Sequence, residues 1–292
     1  MVKCGLRAPI RDVGMSVFKG ALPCGSVAVL HPQMSIILHR SLPALPWCDP
    51  RLSRLPGLLP VEGDAWLLRD EVFGAQMAER DRLLAIDAPV HGMVSQAIDA
   101  AAELYDMVLA KLACDPSYAI SADTARRPDG VEVPLDRGRP LQTLGRLVQE
   151  DLCLMVPDGQ GAHVLGGAIL CFPASWTLSE KLGRAMVRIH APVPEYDENI
   201  ARRVQRVLDG VQAGRPMWRM NHNLYASATL FHPRSEAAPR VDATPQYLRA
   251  ERQCLLRLPQ TGAVLFTIHT YVMSLGDLSA DALESLKAAH SG

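Results

Sequence analysis

No two of the seven cysteines are spaced as C-x-x-C; they stand singly at Cys4, Cys24, Cys48, Cys114, Cys153, Cys171 and Cys254. That scatter excludes an iron–sulfur or zinc cluster pattern. It reads as reduced, mostly buried thiols in a cytoplasmic protein. A surplus of one charge is missing too, since 30 Lys and Arg face 31 Asp and Glu for a formal net charge of −1. Such a balance cannot gather a phosphate backbone, and no basic tract answers an anionic lipid, so neither nucleic acid nor membrane is expected as a partner. No apolar run approaches the roughly 20 residues that cross a bilayer. The first forty residues hold no continuous signal-peptide core.

Catalytic signatures are also missing: no G-x-S-x-G elbow, no H-E-x-x-H pair and no G-x-x-x-x-G-K-[ST] loop. Gly159-Gln160-Gly161 is a turn without the downstream helix start of a dinucleotide site. The chain therefore carries neither a nicotinamide site nor an iron–sulfur centre of its own.

What is present is a core. Hydrophobic residues make up 48% and charged residues 21%, the balance of a globular fold. Residues 1–57 are expected to form an irregular arm, in which Met15 and Met34 stand as alternative starts, 58–276 a domain, and 277–292 a tail. Apolar spacing predicts helices over 70–86 and 91–114, then a loop-rich stretch over 115–145 around the turn Arg126-Arg127-Pro128-Asp129-Gly130. Two apolar runs, 151–156 and 163–172, flank Pro157-Asp158-Gly159-Gln160-Gly161 and read as a β-hairpin.

A helix over 177–189 opens on the capping box Thr177-Leu178-Ser179-Glu180 and stops before Pro192 and Pro194. Further helices are expected over 197–212 and, from Thr244-Pro245, over 244–258. Strands follow from the alternation in 216–225 and the β-propensity of 262–273. Antiparallel hairpins with interleaved helices define an α+β class.

His190 sits where the helix over 177–189 must end. An imidazole there either satisfies free carbonyls or ligates a metal or haem iron, its second nitrogen fixed by one of those carbonyls. Glu251 falls among Tyr247, Leu248, Cys254, Leu255 and Leu258, the stripe of the helix expected over 244–258. A carboxylate carried inward must be paired or its pKa rises, and Arg219 is the candidate partner. Arg219, Asn221 and Asn223 share one strand face, while Trp218, Met220, His222 and Leu224 share the other. If the first face lines a pocket, Arg219 and Asn221 can polarise bound oxygen or a small ligand. His269 and Tyr271 share a face with Leu265 and Thr267, with the same two readings, surface or pocket.

Four blocks carry a family resemblance: Gln149-Glu150-Asp151-Leu152-Cys153-Leu154-Met155; Cys171-Phe172-Pro173 with Trp176, Lys181-Leu182-Gly183 and Ile189-His190-Ala191-Pro192-Val193-Pro194; Arg219-Met220-Asn221; and Leu248-Arg249 through Glu251-Arg252-Gln253 and Arg257-Leu258-Pro259 to Phe266-Thr267-Ile268. Together they resemble the α-subunit of haem-dependent oxidative N-demethylase, over about residues 58–276. The resemblance implies a PAS-like antiparallel sheet whose flanking helices enclose haem b. It also implies oxygen-dependent demethylation of a small secondary amine such as dimethylamine, with electrons from partner reductase subunits carrying FMN and a 2Fe–2S centre.

On that resemblance His190 is the iron ligand, and Arg252, His269 and Tyr271 are cofactor contacts. Arg219, Asn221 and Glu251 are the catalytic group. Two departures stand out: Asn221-His222 where Asn-Trp is expected, and Ile268-His269-Thr270-Tyr271 where Ile-Arg-Thr-Tyr is expected. A non-enzymatic haem-binding gas or redox sensor is the competing class on the same fold, and a haem-free module in which His190 only caps its helix is a third.

Overall fold

The computed structural model describes residues 36–53, 57–189, 198–239 and 243–291. His190, its Ala-Pro-Val-Pro stop and residues 1–35 lie outside them. In chain order the elements are α1 (Pro50–Ser53), β1 (Leu59–Pro60), α2 (Phe73–Ala85), β2 (His91–Met93), α3 (Ile98–Ala113), β3 (Ala119–Ile120), β4 (Thr124–Arg126) and β5 (Glu132–Pro134). Then come α4 (Pro140–Gly145), β6 (Asp151–Pro157), β7 (His163–Ile169), α5 (Leu178–Lys181), α6 (Met186–Ile189), α7 (Glu198–Gly210), β8 (Met217–Tyr225), β9 (Tyr247–Arg257), β10 (Val264–Ser274) and α8 (Ala280–Ser291).

The main sheet has seven strands in the order β1-β8-β9-β10-β6-β7-β2, antiparallel at each pairing. The expected hairpin is β6–β7, and β8, β9 and β10 form a meander that returns β10 to the side of β6. The α+β class stands.

The stretch expected to be loop-rich holds a three-stranded sheet, β3-β4-β5, and the short α4. Its turn falls where Arg126 to Gly130 placed it: Gly130 takes φ +83° and Arg127 N donates to Val131 O. The helix expected from 91 starts at Ile98, because His91–Met93 is drawn into an edge pairing with β7.

Two corrections concern the region of the candidate site. The segment 244–258 is not a helix: Tyr247–Arg257 is a strand, paired along its length with both β8 and β10. Both of its faces are buried, so apolar and polar residues do not alternate, and helix-forming Leu, Arg, Glu and Gln imitate a helical stripe. Two neighbouring ladders override that local preference. The helix expected over 177–189 is broken into α5 and α6, with Gly183 at φ +73° between them. That left-handed turn is open to glycine at little steric cost and stops the helix early.

The sheet separates two cores. Its back face, carrying Leu152, Leu154, Cys254, Leu256 and Leu265, packs against α3 and α4 through Leu104, Val108, Leu112, Leu141 and Leu144. Its front face, carrying Cys153, Met155, Leu255, Val264 and Ile268, packs against the α5–α7 segment through Leu178, Leu182, Ile189, Val204 and Leu208. At about 1.5–3 kcal/mol for each fully buried large aliphatic side chain, both layers contribute heavily to fixing the strands.

Candidate functional site

The long strands place polar residues in rows across the front face. Asn221 on β8 lies opposite Glu251 on β9, which lies opposite Thr270 on β10. One step along, Arg219 faces Gln253; one step the other way, Asn223 faces Arg249. Glu251 is only 7% exposed. Its Oε2 accepts from Gln253 Nε2 at 3.2 Å and from Asn221 Nδ2 at 3.5 Å, while Oε1 lies 3.5 Å from Arg249 Nε. Arg249 spends its other nitrogens on backbone, donating to Leu230 O at 3.0 Å and to Phe172 O.

Several buried polar atoms in these rows have no hydrogen-bond partner: Asn221 Oδ1, Thr270 Oγ1, Arg219 Nε and Arg249 Nε. Arg219 forms no side-chain hydrogen bond or ion pair among the described residues. Burial pulls its guanidinium pKa down, opposed by the field of Glu251. An unanswered buried donor or acceptor typically costs about 1–3 kcal/mol, so a cluster of them is an arrangement that a ligand completes. Apolar Cys153, Phe266 and Ile268 share the same face, with Leu182 and Ile189 over them.

Ile189 immediately precedes His190, and its carbonyl accepts from the buried Lys181 Nζ, which also pairs with Glu236 at 2.7 Å. The described chain thus leaves α6 from the front-face cluster.

The back face gathers the remaining candidates. Arg252 faces His269, and Tyr271 lies one step further along β10. Arg252 donates to Ala65 O at 2.8 Å and to Cys254 Sγ at 3.0 Å, with its guanidinium 5.1 Å from the Trp218 ring centre. His269 places Nδ1 2.9 Å from Glu150 Oε1 and Nε2 2.9 Å from Asp70 Oδ2. Both nitrogens meet carboxylate oxygens, so both carry protons. Burial works against that charge, but the bonds to Asp70 and Glu150 prevail and push the imidazole to about 9. For Asp70, burial raises the carboxyl, and the hydrogen bonds of His269 and His39 outweigh it, holding it far below the usual range. Tyr271 is pushed up by burial.

His39 completes the cluster, with Nε2 2.8 Å from Asp70 Oδ2 and Nδ1 accepting from Val272 N at 3.2 Å. Ligand atoms of His39, Asp70 and His269 lie within 4.8 Å of one another, the spacing of a metal site. The proton pattern argues otherwise. A cation requires a bare Nε2 on both rings, yet His39 Nδ1 already takes a backbone N–H, which leaves its one proton on Nε2. This donor set fits a buried proton network.

The structure thus divides the expected site residues. Arg219, Asn221 and Glu251 stand together in front; Arg252, His269 and Tyr271 stand together behind. His190 lies outside the described residues. Thr270 and Arg249 in front, and His39, Asp70 and Glu150 behind, are additions that sequence reasoning missed. The one signal for Glu150 was its place in Gln149-Glu150-Asp151, polar residues leading into an apolar strand. A cavity of about 60 Å³ among Pro89, Leu170, Trp176, Leu178, Phe231 and Pro233 is far too small for a porphyrin.

Residues 57–291 match the family described as haem-dependent oxidative N-demethylase, alpha subunit-like. A subunit so described implies an enzyme of more than one kind of chain, and haem-dependent oxidoreductase as its class. No helix among the described residues is long and apolar enough to cross a membrane. With the match running through both cores and both polar clusters, this chain belongs to the haem-dependent oxidative N-demethylase, alpha subunit-like family.

Proposed function

We propose that the chain is the haem-bearing oxidase component of a multisubunit demethylase, acting on a small secondary amine with oxygen and with electrons from a partner reductase. The observation that carries this reading is the front face: unpartnered Arg219, Asn221 and Thr270 atoms around Glu251, beside an apolar cluster and under the helices that lead to His190. That donor set suits a group that is apolar in body and polar at its rim. The PAS-like description is supported by the sheet, in which β6 and β10 lie together at the centre and helices intervene between β7 and β8.

On this reading His190 would hold the haem iron, and the polar row and apolar cluster of the front face would contact the rest of the group. Bound haem supplies the activation of oxygen, with electrons from the partner. This chain's own residues do the rest. Glu251, set between Arg249 and Gln253, accepts a hydrogen bond from the substrate ammonium and serves as the base that receives its proton. Asn221 Oδ1 and Thr270 Oγ1 flank that carboxylate as further acceptors. The apolar layer of Phe266, Ile268 and Leu182 keeps bulk water out. Arg252, His269 and Tyr271 act as framework behind the sheet.

The test is a haem-reconstituted absorption spectrum, followed by formaldehyde release with a reductase and candidate amines. A Soret band and amine-dependent formaldehyde are expected. His190→Ala should lose the band while keeping the far-UV circular dichroism of the parent. An unchanged band in that variant removes His190 as ligand, and no band in the parent removes the haem reading.

A further inference from the structure

The front-face site carries more positive than negative charge, and this bears on its substrate. Glu251 is the carboxylate of the row, and it already lies 3.5 Å from Arg249. Arg219 is diagonal to it across β8 and β9, one pairing step away, where side chains stand about 7–8 Å apart at their bases. Its guanidinium reaches neither Glu251 nor any other acceptor among the described residues. A guanidinium offers five N–H donors in a planar fork and cannot shed its charge. Arg219 is half-buried, its Nε is buried without a partner, and among the described residues nothing neutralises it. A plain dialkylammonium does nothing for it and is repelled by it.

We infer that Arg219 binds a carboxylate of the substrate, so that the amine acted on is zwitterionic, an N-methylated amino acid held by its ammonium at Glu251 and by its carboxylate at Arg219. This rests on the demethylase reading above and narrows it. The diagonal offset places opposite charges on two neighbouring strands of one face, an arrangement that answers both ends of a short zwitterion and only one end of a simple amine. Planar carboxylates pair with guanidinium through two parallel hydrogen bonds, which matches the unspent donors of Arg219. Asn221 stands on the same strand face, opposite Glu251 and two residues from Arg219, with Oδ1 free to accept.

The other source of a carboxylate at this position is a haem propionate, and the experiment separates the two. Haem-reconstituted protein is titrated with N-methylglycine and with dimethylamine by calorimetry, in parent and in Arg219→Ala, and retention of haem is compared with that of haem dimethyl ester. N-methylglycine is expected to bind at least about tenfold more tightly than dimethylamine in the parent. That preference should vanish in Arg219→Ala, with haem and its ester retained alike. Unfolding temperature supplies a second readout: removal of an unpaired, half-buried charge leaves it unchanged or raises it, whereas loss of a structural arginine lowers it.

Equal affinity for the two amines, or an unaltered preference in Arg219→Ala, overturns the inference. Selective loss of the ester assigns the carboxylate to the cofactor and overturns it as well. Binding is read without turnover, so a protein that prefers N-methylglycine yet releases no formaldehyde counts against the demethylase reading and leaves the carboxylate contact standing.

Discussion

His269 and Glu251 occupy neighbouring strands, β10 and β9, yet they point to opposite sides of one sheet and live under opposite rules. Behind the sheet, an imidazolium is held between Asp70 and Glu150, His39 bonds Asp70 in turn, and Arg252 is spent on a carbonyl, a thiol and an indole face. Among the described residues, Glu150 Oε2 is the one buried atom of that cluster without a partner. In front, Arg219, Asn221, Thr270 and Arg249 each leave a buried atom without a hydrogen bond. A network whose groups satisfy one another stabilises a fold; groups held apart and unsatisfied are poised for something else. The comparison teaches that burial of charged residues does not by itself mark a site. What marks it is burial without a partner.

The sharpest way to break this contrast is His269→Ala. It leaves the buried Glu150 and the partly buried Asp70 with their shared cation gone, and a loss of about 3–5 kcal/mol in urea unfolding is expected. A loss below about 1 kcal/mol would mean that the back network is not what holds the sheet to α2 and the arm residues around His39.

Alkaline pH probes the same network without mutation. The folded imidazole, near 9, lies above its ordinary value of 6.5, so its contribution is fully present below pH 6.5 and fades as pH rises through 9. The shift is equivalent to about 3 kcal/mol. Asp70 works in the other direction: its depressed carboxyl contributes above its ordinary value of 3.8, and that contribution is lost as pH falls below it. Thermal unfolding from pH 6 to 10 should therefore show a decline between about pH 6.5 and 9, levelling off above it, in the parent and a flatter profile in His269→Ala. Parallel profiles would exclude His269 as the titrating group.

The smallest effect is expected in front. Thr270→Val removes a hydroxyl that has no partner and keeps the β-branched shape, so stability should change by no more than about 1 kcal/mol, in either direction. Amine binding should weaken at the same time. Strong destabilisation with unchanged binding would place Thr270 with the structural residues and blur the distinction between the faces.

Much of the framework was legible in the sequence. The β6–β7 hairpin follows from two apolar runs around a Pro-Asp-Gly turn, and the two faces of β8 follow from simple alternation in Met217–Tyr225. The sequence also placed Arg219 beside Asn221 and His269 beside Tyr271 correctly, because neighbours two apart on a strand share a face wherever that strand lies. The residues 244–258 were misread for a physical reason: a strand buried on both sides has no wet face to set its period, so Glu251 took its place in a helical stripe that does not form.

What sequence by itself determined, then, is local: apolar runs, turns, the sharing of faces within one strand, and the residue blocks of the family. Only the tertiary structure decided which faces are combined. Strand pairing brought Asn221, Glu251 and Thr270 into one row and set Arg252, His269 and Tyr271 behind it, with Asp70 and His39 supplied from far along the chain. Whether a charge is neutralised depends on such distant partners, and separation along the chain carries no record of distance in space.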